Sequence, residues 1–170
     1  MYKELLLGCG NSREKRIGRS GAVSWVNLTT LDVDPDTKPN VLHDLNVHPL
    51  PFADNSFDEL HAYEVLEHIG KQGDWRAFFE EFTDYWRILK PNGILCATCP
   101  SRNSVWAWGD PGHVRIIQPE TLIFLSQKAY ELGIGKTPIT DYRHIYKADF
   151  EPLQGHDDGE NFRFILKAVK

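Results

Sequence analysis

The segment ELLLGCGNSREK, residues 4–15, constrains the fold more than any other stretch of this chain. Three leucines in a row read as a buried strand, and Gly8, Cys9, Gly10 and Asn11 end it at once. Strands buried on both faces belong to parallel sheets, which bind ligands at the carboxyl ends of their strands. Glycine at that edge lets the backbone approach a ligand closely. The chain is therefore expected to be an α/β protein with a binding site beside residues 8–11.

Apolar runs and breakers place the other elements. Strands are expected at SWVNLTTLD (24–32), NVLHDL (40–45), FDELHAYE (57–64) and ILCATCP (94–100). In DWRAFFEEFTDYWRILK (74–90), Trp75, Phe78, Phe79, Phe82, Trp86 and Leu89 recur every three or four residues. That spacing predicts an amphipathic helix, capped by Asp74 and ended by Lys90-Pro91-Asn92-Gly93. A second helix is expected from Pro119 to Gly133, burying Leu122, Leu125, Ala129 and Leu132. Two closing strands near 139–150 and 161–170 flank EPLQGHDDGE, which has the composition of a hairpin loop. Together these give one α/β domain over residues 1–170. It is a Rossmann-like, mainly parallel sheet with helices on both faces and a C-terminal antiparallel hairpin. The link from Asp34 to Pro39 is too short for a crossover helix. The strand at 40–45 is still expected to run parallel, because only that direction brings Asp44 to the ligand edge.

Charge and composition exclude several partners. A formal net charge of −5 argues against a sequence-independent grip on nucleic acid. No apolar run is long enough to cross a bilayer, and MYKELLLGCG is too short in apolar residues for a secretory leader. The cytoplasm is the expected compartment and small molecules the expected substrates, with proteins as an alternative; the oligomeric state is not legible. Cys96 and Cys99 form a CxxC, but on a strand an i, i+3 pair points to opposite faces, so neither a disulfide nor a zinc role is expected.

Three ligand classes compete for the glycine turn. A dinucleotide fingerprint needs a third glycine where Arg13 stands, and a triphosphate loop needs a G-x-x-x-x-G-K-[ST] that is missing. S-adenosylmethionine carries no phosphate, and one glycine pair suffices to admit its amino-acid end. Its ribose diol wants a carboxylate at the next strand tip. Asp32, followed by Val33, ends the second strand; Asp34 competes, but Asp32 directly follows the apolar run. Asp44 could accept from an adenine amino group while the backbone of Leu45 faces the ring. Tyr63 and Glu64 end the fourth strand, where Glu64 could meet an ammonium or sulfonium charge.

In order along the chain, LLLGCGN, LDVDP, HDLN, PFADNSFDELHAYEVLEHI and WRILKPNGIL resemble the class I S-adenosylmethionine-dependent methyltransferases. The similarity covers roughly residues 4–100 and is nearest to the ubiquinone/menaquinone-type small-molecule branch. It implies S-adenosylmethionine as cofactor and S-adenosylhomocysteine as product. It puts Gly8 and Gly10 under the methionyl part, Asp32 at the ribose, Asp44 and Leu45 at the adenine, and Tyr63 and Glu64 beside the methyl donor. The chain departs from the family where a helix should follow the glycine turn: SREKRIGRSG is polar and soon broken by Gly18. The place of the nucleobase N-methylating motif reads YEVLEH, so DNA-base methylation is not expected.

The remaining polar residues have ordinary readings. Glu67 reads as a helix-start acid, and Arg13, Lys15, Arg16 and Arg19 as a solvated loop. GHDDG (155–159) reads as a polar hairpin tip, and no metal site is expected, since no HExxH or paired Cys/His spacing occurs. The long connection SRNSVWAWGDPGHVRIIQ, 101–118, follows the fifth strand at the ligand edge. It is expected to be a substrate lid, offering Trp106, Trp108, Asp110, His113 and Arg115. His113 and His68 are the catalytic candidates, should the acceptor need to lose a proton. A non-catalytic nucleoside-binding module and an NAD-dependent oxidoreductase remain alternatives to a methyltransferase.

Overall fold

The computed structural model describes all 170 residues. Seven strands form one sheet in the order β3-β2-β1-β4-β5-β7-β6. They are β1 (Glu4–Leu7), β2 (Leu28–Asp32), β3 (Val41–Leu42), β4 (Phe57–Tyr63), β5 (Leu89–Pro100), β6 (Phe150–Asp157) and β7 (Asn161–Ala168). The first five pair in parallel, and β7 runs antiparallel to both β5 and β6. The expected mainly parallel sheet with its antiparallel hairpin is present. β3 pairs in parallel with β2 through Leu31 and Asp32, as expected, though it is only two residues long.

One face of the sheet buries Leu5, Leu7, Leu60, Ala62, Leu95, Ala97, Phe164 and Leu166, the alternate residues of β1, β4, β5 and β7. Helix α1 (Trp75–Ile88) packs on it through Phe79, Phe82, Tyr85 and Ile88. Asp74 caps the helix, its side chain accepting from the Ala77 amide at 3.2 Å. The helix stops at Ile88; Leu89 is already extended (φ −68°, ψ 142°). Two short helices follow, α2 (Trp106–Gly109) and α3 (Pro119–Leu122), and then α4 (Gln127–Gly133).

Three local expectations are corrected. The helix expected over 119–133 is broken: Ser126 is extended and its side chain caps α4 by accepting from the Ala129 amide. Tyr130, rather than Ala129 or Leu132, fills the core there, and Leu132 is exposed. At the C-terminus, residues 139–149 form no strand, and EPLQGHD is itself most of β6. This strand lies at the sheet edge with Glu151–Asp157 exposed, so it needs no apolar alternation, and Pro152 is tolerated there. Only residues 158–160 turn the hairpin.

The second face carries no packed α-helix. Segment 11–27 covers it instead, placing Ile17 and Trp25 against Leu6, Cys9 and Tyr63. Beneath that cover lies a buried charge network in place of a second helix layer. Lys15 Nζ lies 2.5 Å from Glu4 Oε1 and 2.7 Å from Glu59 Oε2. Lys15 is thus not part of a solvated basic cluster; it is 4 % exposed.

Candidate functional site

Gly8 and Gly10 end β1 in left-handed backbone (φ +56° and +50°), which glycine adopts without strain. The turn is fixed from the next strand: the Gly10 amide donates to Asp32 Oδ2 (2.8 Å), and the Asp34 amide donates to Asp32 Oδ1 (2.9 Å). Asp34 itself caps the short turn Pro35–Thr37 by accepting from the Asp36 amide, so Asp32 is the acid that faces the cleft. At the tip of β3, Asp44 accepts from the Asn46 amide through Oδ1 (2.8 Å), and these bonds hold its carboxyl below the usual range.

These elements wall an open cleft of about 290 Å³ at the carboxyl edge of the sheet. Gly8, Asp32, Val33, Asp44, Leu45 and Glu64 line it, six of the ten residues expected at the cofactor. His43, Asn46, Val65 and Ile69 also line it and were not expected. Asp32, Asp44 and Glu64 give it three carboxylates, and no lysine or arginine reaches its wall.

The other four expected cofactor residues do not line the cleft. Gly10 acts through its amide on Asp32, Cys9 buries its side chain beneath segment 11–27, and Asn11 is exposed outside. Tyr63 is a correction. Strand alternation turns its ring to the second face, where the hydroxyl donates to the Ile17 carbonyl (2.9 Å) and lies 2.8 Å from His61 Nδ1. Tyr63 therefore holds segment 11–27 and does not border the cleft.

Glu64 follows with φ +56°, and this bend separates its direction from that of Tyr63. The Thr98 hydroxyl donates to Glu64 Oε1 at 2.6 Å. Glu64 and His68 form the shared wall between the first cleft and a second of about 390 Å³. Glu67, Ser104, Trp106, Asp110 and His113 line this second cleft. Segment 101–118 therefore does cover the ligand edge. Trp106 and Trp108 are 62 % and 60 % exposed and do not pack into the core. Arg115, expected as a handle for substrate, is buried; its guanidinium donates to Leu66 O (2.7 Å) and Glu81 Oε1 (2.9 Å).

The two candidate histidines meet edge to face, ring centroids 4.6 Å apart. His113 Nδ1 lies 2.7 Å from the Trp106 carbonyl, and His68 Nδ1 lies 3.0 Å from the Gly112 carbonyl. A carbonyl only accepts, so both Nδ1 atoms carry the proton and both Nε2 atoms keep a lone pair when neutral. Glu67 stands, as expected, in the first turn of a short helix (Leu66–His68), but it is not an ordinary exposed acid there. It is 2 % exposed, and burial pushes its carboxyl up to about 8. No sequence signal separated it from an ordinary first-turn acid, because its burial depends on segment 101–118 folding over it.

The sheet order and the acid-lined cleft at its carboxyl edge define a Rossmann-like, S-adenosylmethionine-dependent methyltransferase architecture. The sequence matches the family described as a methyltransferase domain over residues 5–97, and the chain belongs to that family. Its cofactor is accordingly S-adenosylmethionine and the product S-adenosylhomocysteine. Among solved structures, it is similar to a SAM-dependent methyltransferase from Archaeoglobus fulgidus (15 % identity, 98 % of this chain and 86 % of that one, TM-score 0.58). It is likewise similar to a SAM-dependent methyltransferase from Aquifex aeolicus (12 % identity, 99 % and 82 %, TM-score 0.57). A third is the N-methyltransferase NodS from Bradyrhizobium japonicum WM9 in complex with S-adenosyl-l-homocysteine (16 % identity, 99 % and 79 %, TM-score 0.54). At these identities the likeness is one of fold. No curated protein matches the chain in sequence. No helix is long and apolar enough to cross a membrane.

Proposed function

We propose that this protein transfers the methyl group of S-adenosylmethionine to a small-molecule acceptor by direct displacement, its 170 residues acting as one domain. The strongest support is the wall of the first cleft, with three carboxylates and no lysine or arginine. A dinucleotide's diphosphate would meet like charge there, whereas a sulfonium and an ammonium would be attracted. In this assignment Asp32 accepts from the ribose diol and Asp44 from the adenine amino group. Leu45 lies against the ring, Gly8 admits the amino-acid end, and Glu64 faces the cationic end.

The bound cofactor supplies an electrophilic methyl carbon. Because charge is quenched as the methyl moves, the protein contributes mainly alignment and exclusion of water. Segment 101–118 forms the acceptor side, and the lone pairs on His113 and His68 are available should the acceptor shed a proton. Membership of the ubiquinone/menaquinone-type small-molecule branch and a cytoplasmic setting belong to the same proposal.

Calorimetric titration with S-adenosylhomocysteine and with NAD+ tests it. S-adenosylhomocysteine should bind, NAD+ should not, and Asp32→Ala should weaken S-adenosylhomocysteine at least tenfold, the loss expected of a charge-assisted pair of hydrogen bonds. Binding of NAD+ in preference would overturn the assignment. Binding without turnover on any acceptor would leave a nucleoside-binding module.

A further inference from the structure

Glu67 is the buried polar group that cofactor binding leaves unexplained. Neither of its carboxylate oxygens has a hydrogen-bond partner, and its side chain is almost fully enclosed. Proteins rarely keep a buried carboxylate without a donor, because its lost hydration is not replaced. Arg115, a cation whose charge acts on Glu67, donates instead to Leu66 O and Glu81.

The surroundings of Glu67 supply lone pairs rather than donors. His113 Nε2 lies 3.9 Å from Glu67 Oε1 and 4.0 Å from Asp110 Oδ2. Ligand-type atoms of Glu67, His68 and His113 all lie within 4.8 Å of one another. Both imidazoles donate Nδ1–H to backbone carbonyls, the outer-shell arrangement that orients metal-ligating histidines and leaves Nε2 free to coordinate. The fold also contains its own contrast. Glu4, Glu59 and His61 form a second carboxylate–imidazole cluster of similar dimensions, and Lys15 Nζ fills it. Nothing of the kind fills the cluster around Glu67.

We propose that Glu67, His68 and His113 form a binding site for a first-row divalent cation at the floor of the acceptor-side cleft. Two imidazoles with one carboxylate suit Mn2+, Fe2+ or Zn2+ better than an all-oxygen ion such as Mg2+. Metal–ligand bonds of about 2.0–2.2 Å bring donor atoms to within roughly 3–4 Å of one another, so the cluster need contract by only about an ångström. Three protein ligands leave positions open, and Asp110 stands within reach to take one. The site does not depend on the methyl-transfer assignment, since none of its three ligands holds the nucleoside. It does exclude proton transfer to His113 or His68, because a coordinated lone pair cannot also accept a proton. The linear sequence conceals the site: Glu67 and His68 are adjacent, and His113 joins them only through the fold of segment 101–118.

Electron paramagnetic resonance of Mn2+ added to chelator-stripped protein, with Zn2+ calorimetry alongside, decides the matter. One cation should bind per chain, and Glu67→Gln or His113→Ala should each weaken it at least tenfold, while Asp34→Asn should leave it unchanged. A melting-temperature readout guards against misfolded variants. Metal should raise the midpoint of the unaltered protein and leave that of Glu67→Gln where it was. No saturable binding of either ion, or equal binding by both variants and the parent, would overturn the proposal. S-adenosylhomocysteine titrated in the presence of chelator reports on the cofactor cleft separately, so the two assignments fail independently.

Discussion

Replacing Gly8 by alanine would place a Cβ 2.5 Å from Val65 Cγ2, at a φ of +56° that side chains already disfavour. Neither neighbour can move cheaply, since Val65 is buried in the main core and the Asp32 carboxylate pins the turn. Gly8→Ala should therefore cost about 1–3 kcal/mol of stability and weaken S-adenosylhomocysteine. Urea unfolding and calorimetry check both; unchanged values would mean the turn is not constrained as described. The thiols give a second test at this scale. Cys9, Cys96 and Cys99 are free and buried, and burial pushes the Cys96 thiol up to about 12. Ellman's reagent at pH 8 should find no reactive thiol in the native protein and three after unfolding. Gly8, Asp32 and Asp44 were legible from sequence because strand tips and glycine turns are local features. Tyr63 was not, because alternation says that it opposes Ala62 without saying which face holds the cleft. Glu67 was not, because its burial is set by a segment distant in the chain.

The charge network under segment 11–27 does the work of a missing helix layer, and it makes that face sensitive to acid. Burial by itself would raise the Glu4 and Glu59 carboxyls; hydrogen bonds from Lys15 to Glu4, and from His61 and Lys15 to Glu59, outweigh it and hold both below 4.5. Acids depressed in the folded state stabilise it above their unfolded pKa, and that stability drains away as pH falls through the folded values. His61, held below 6.5 chiefly by burial, acts in the same direction, since the unfolded chain takes up its proton first. The contribution of this network should therefore decline from about pH 6.5. Glu67, raised to about 8, gains stability as pH falls to about 4.5 and opposes it, so the net loss should be steep only below about 4.5. Lys15→Met removes the only cation between two buried carboxylates and should cost about 3–5 kcal/mol at pH 7. A loss under about 1 kcal/mol in thermal or urea unfolding would show that solvent reaches the cluster. At this scale α1 was legible because its apolar stripe follows the helical period, whereas β6 was not. An exposed edge strand with Pro152 and Gly155 has the composition of a loop, and only pairing with β7 makes it a strand.

Across the whole molecule the two clefts divide the chain. Residues 5–97, which match the family, supply the glycine turn, the strand-tip acids and Glu64. Segment 101–118, beyond the match, supplies Trp106, Asp110 and His113 to the second cleft. The parallel order was legible from alternating elements, yet the meeting of the two clefts at Glu64 and His68 required the fold. That division makes changes in segment 101–118 separable from cofactor binding. Trp106 is 62 % exposed, so Trp106→Ala should change stability by no more than about 0.5 kcal/mol. If its ring served core packing instead, the loss would be about 3–5 kcal/mol. His113→Asn should sharply lower methyl transfer while the S-adenosylhomocysteine Kd stays within about twofold, because His113 touches the second cleft and not the first. Trp106→Ala should raise the acceptor KM with kcat less affected, since it removes apolar wall and no proton or metal ligand. A parallel loss of S-adenosylhomocysteine binding in either variant would place segment 101–118 on the cofactor, and the division between the clefts would then be wrong.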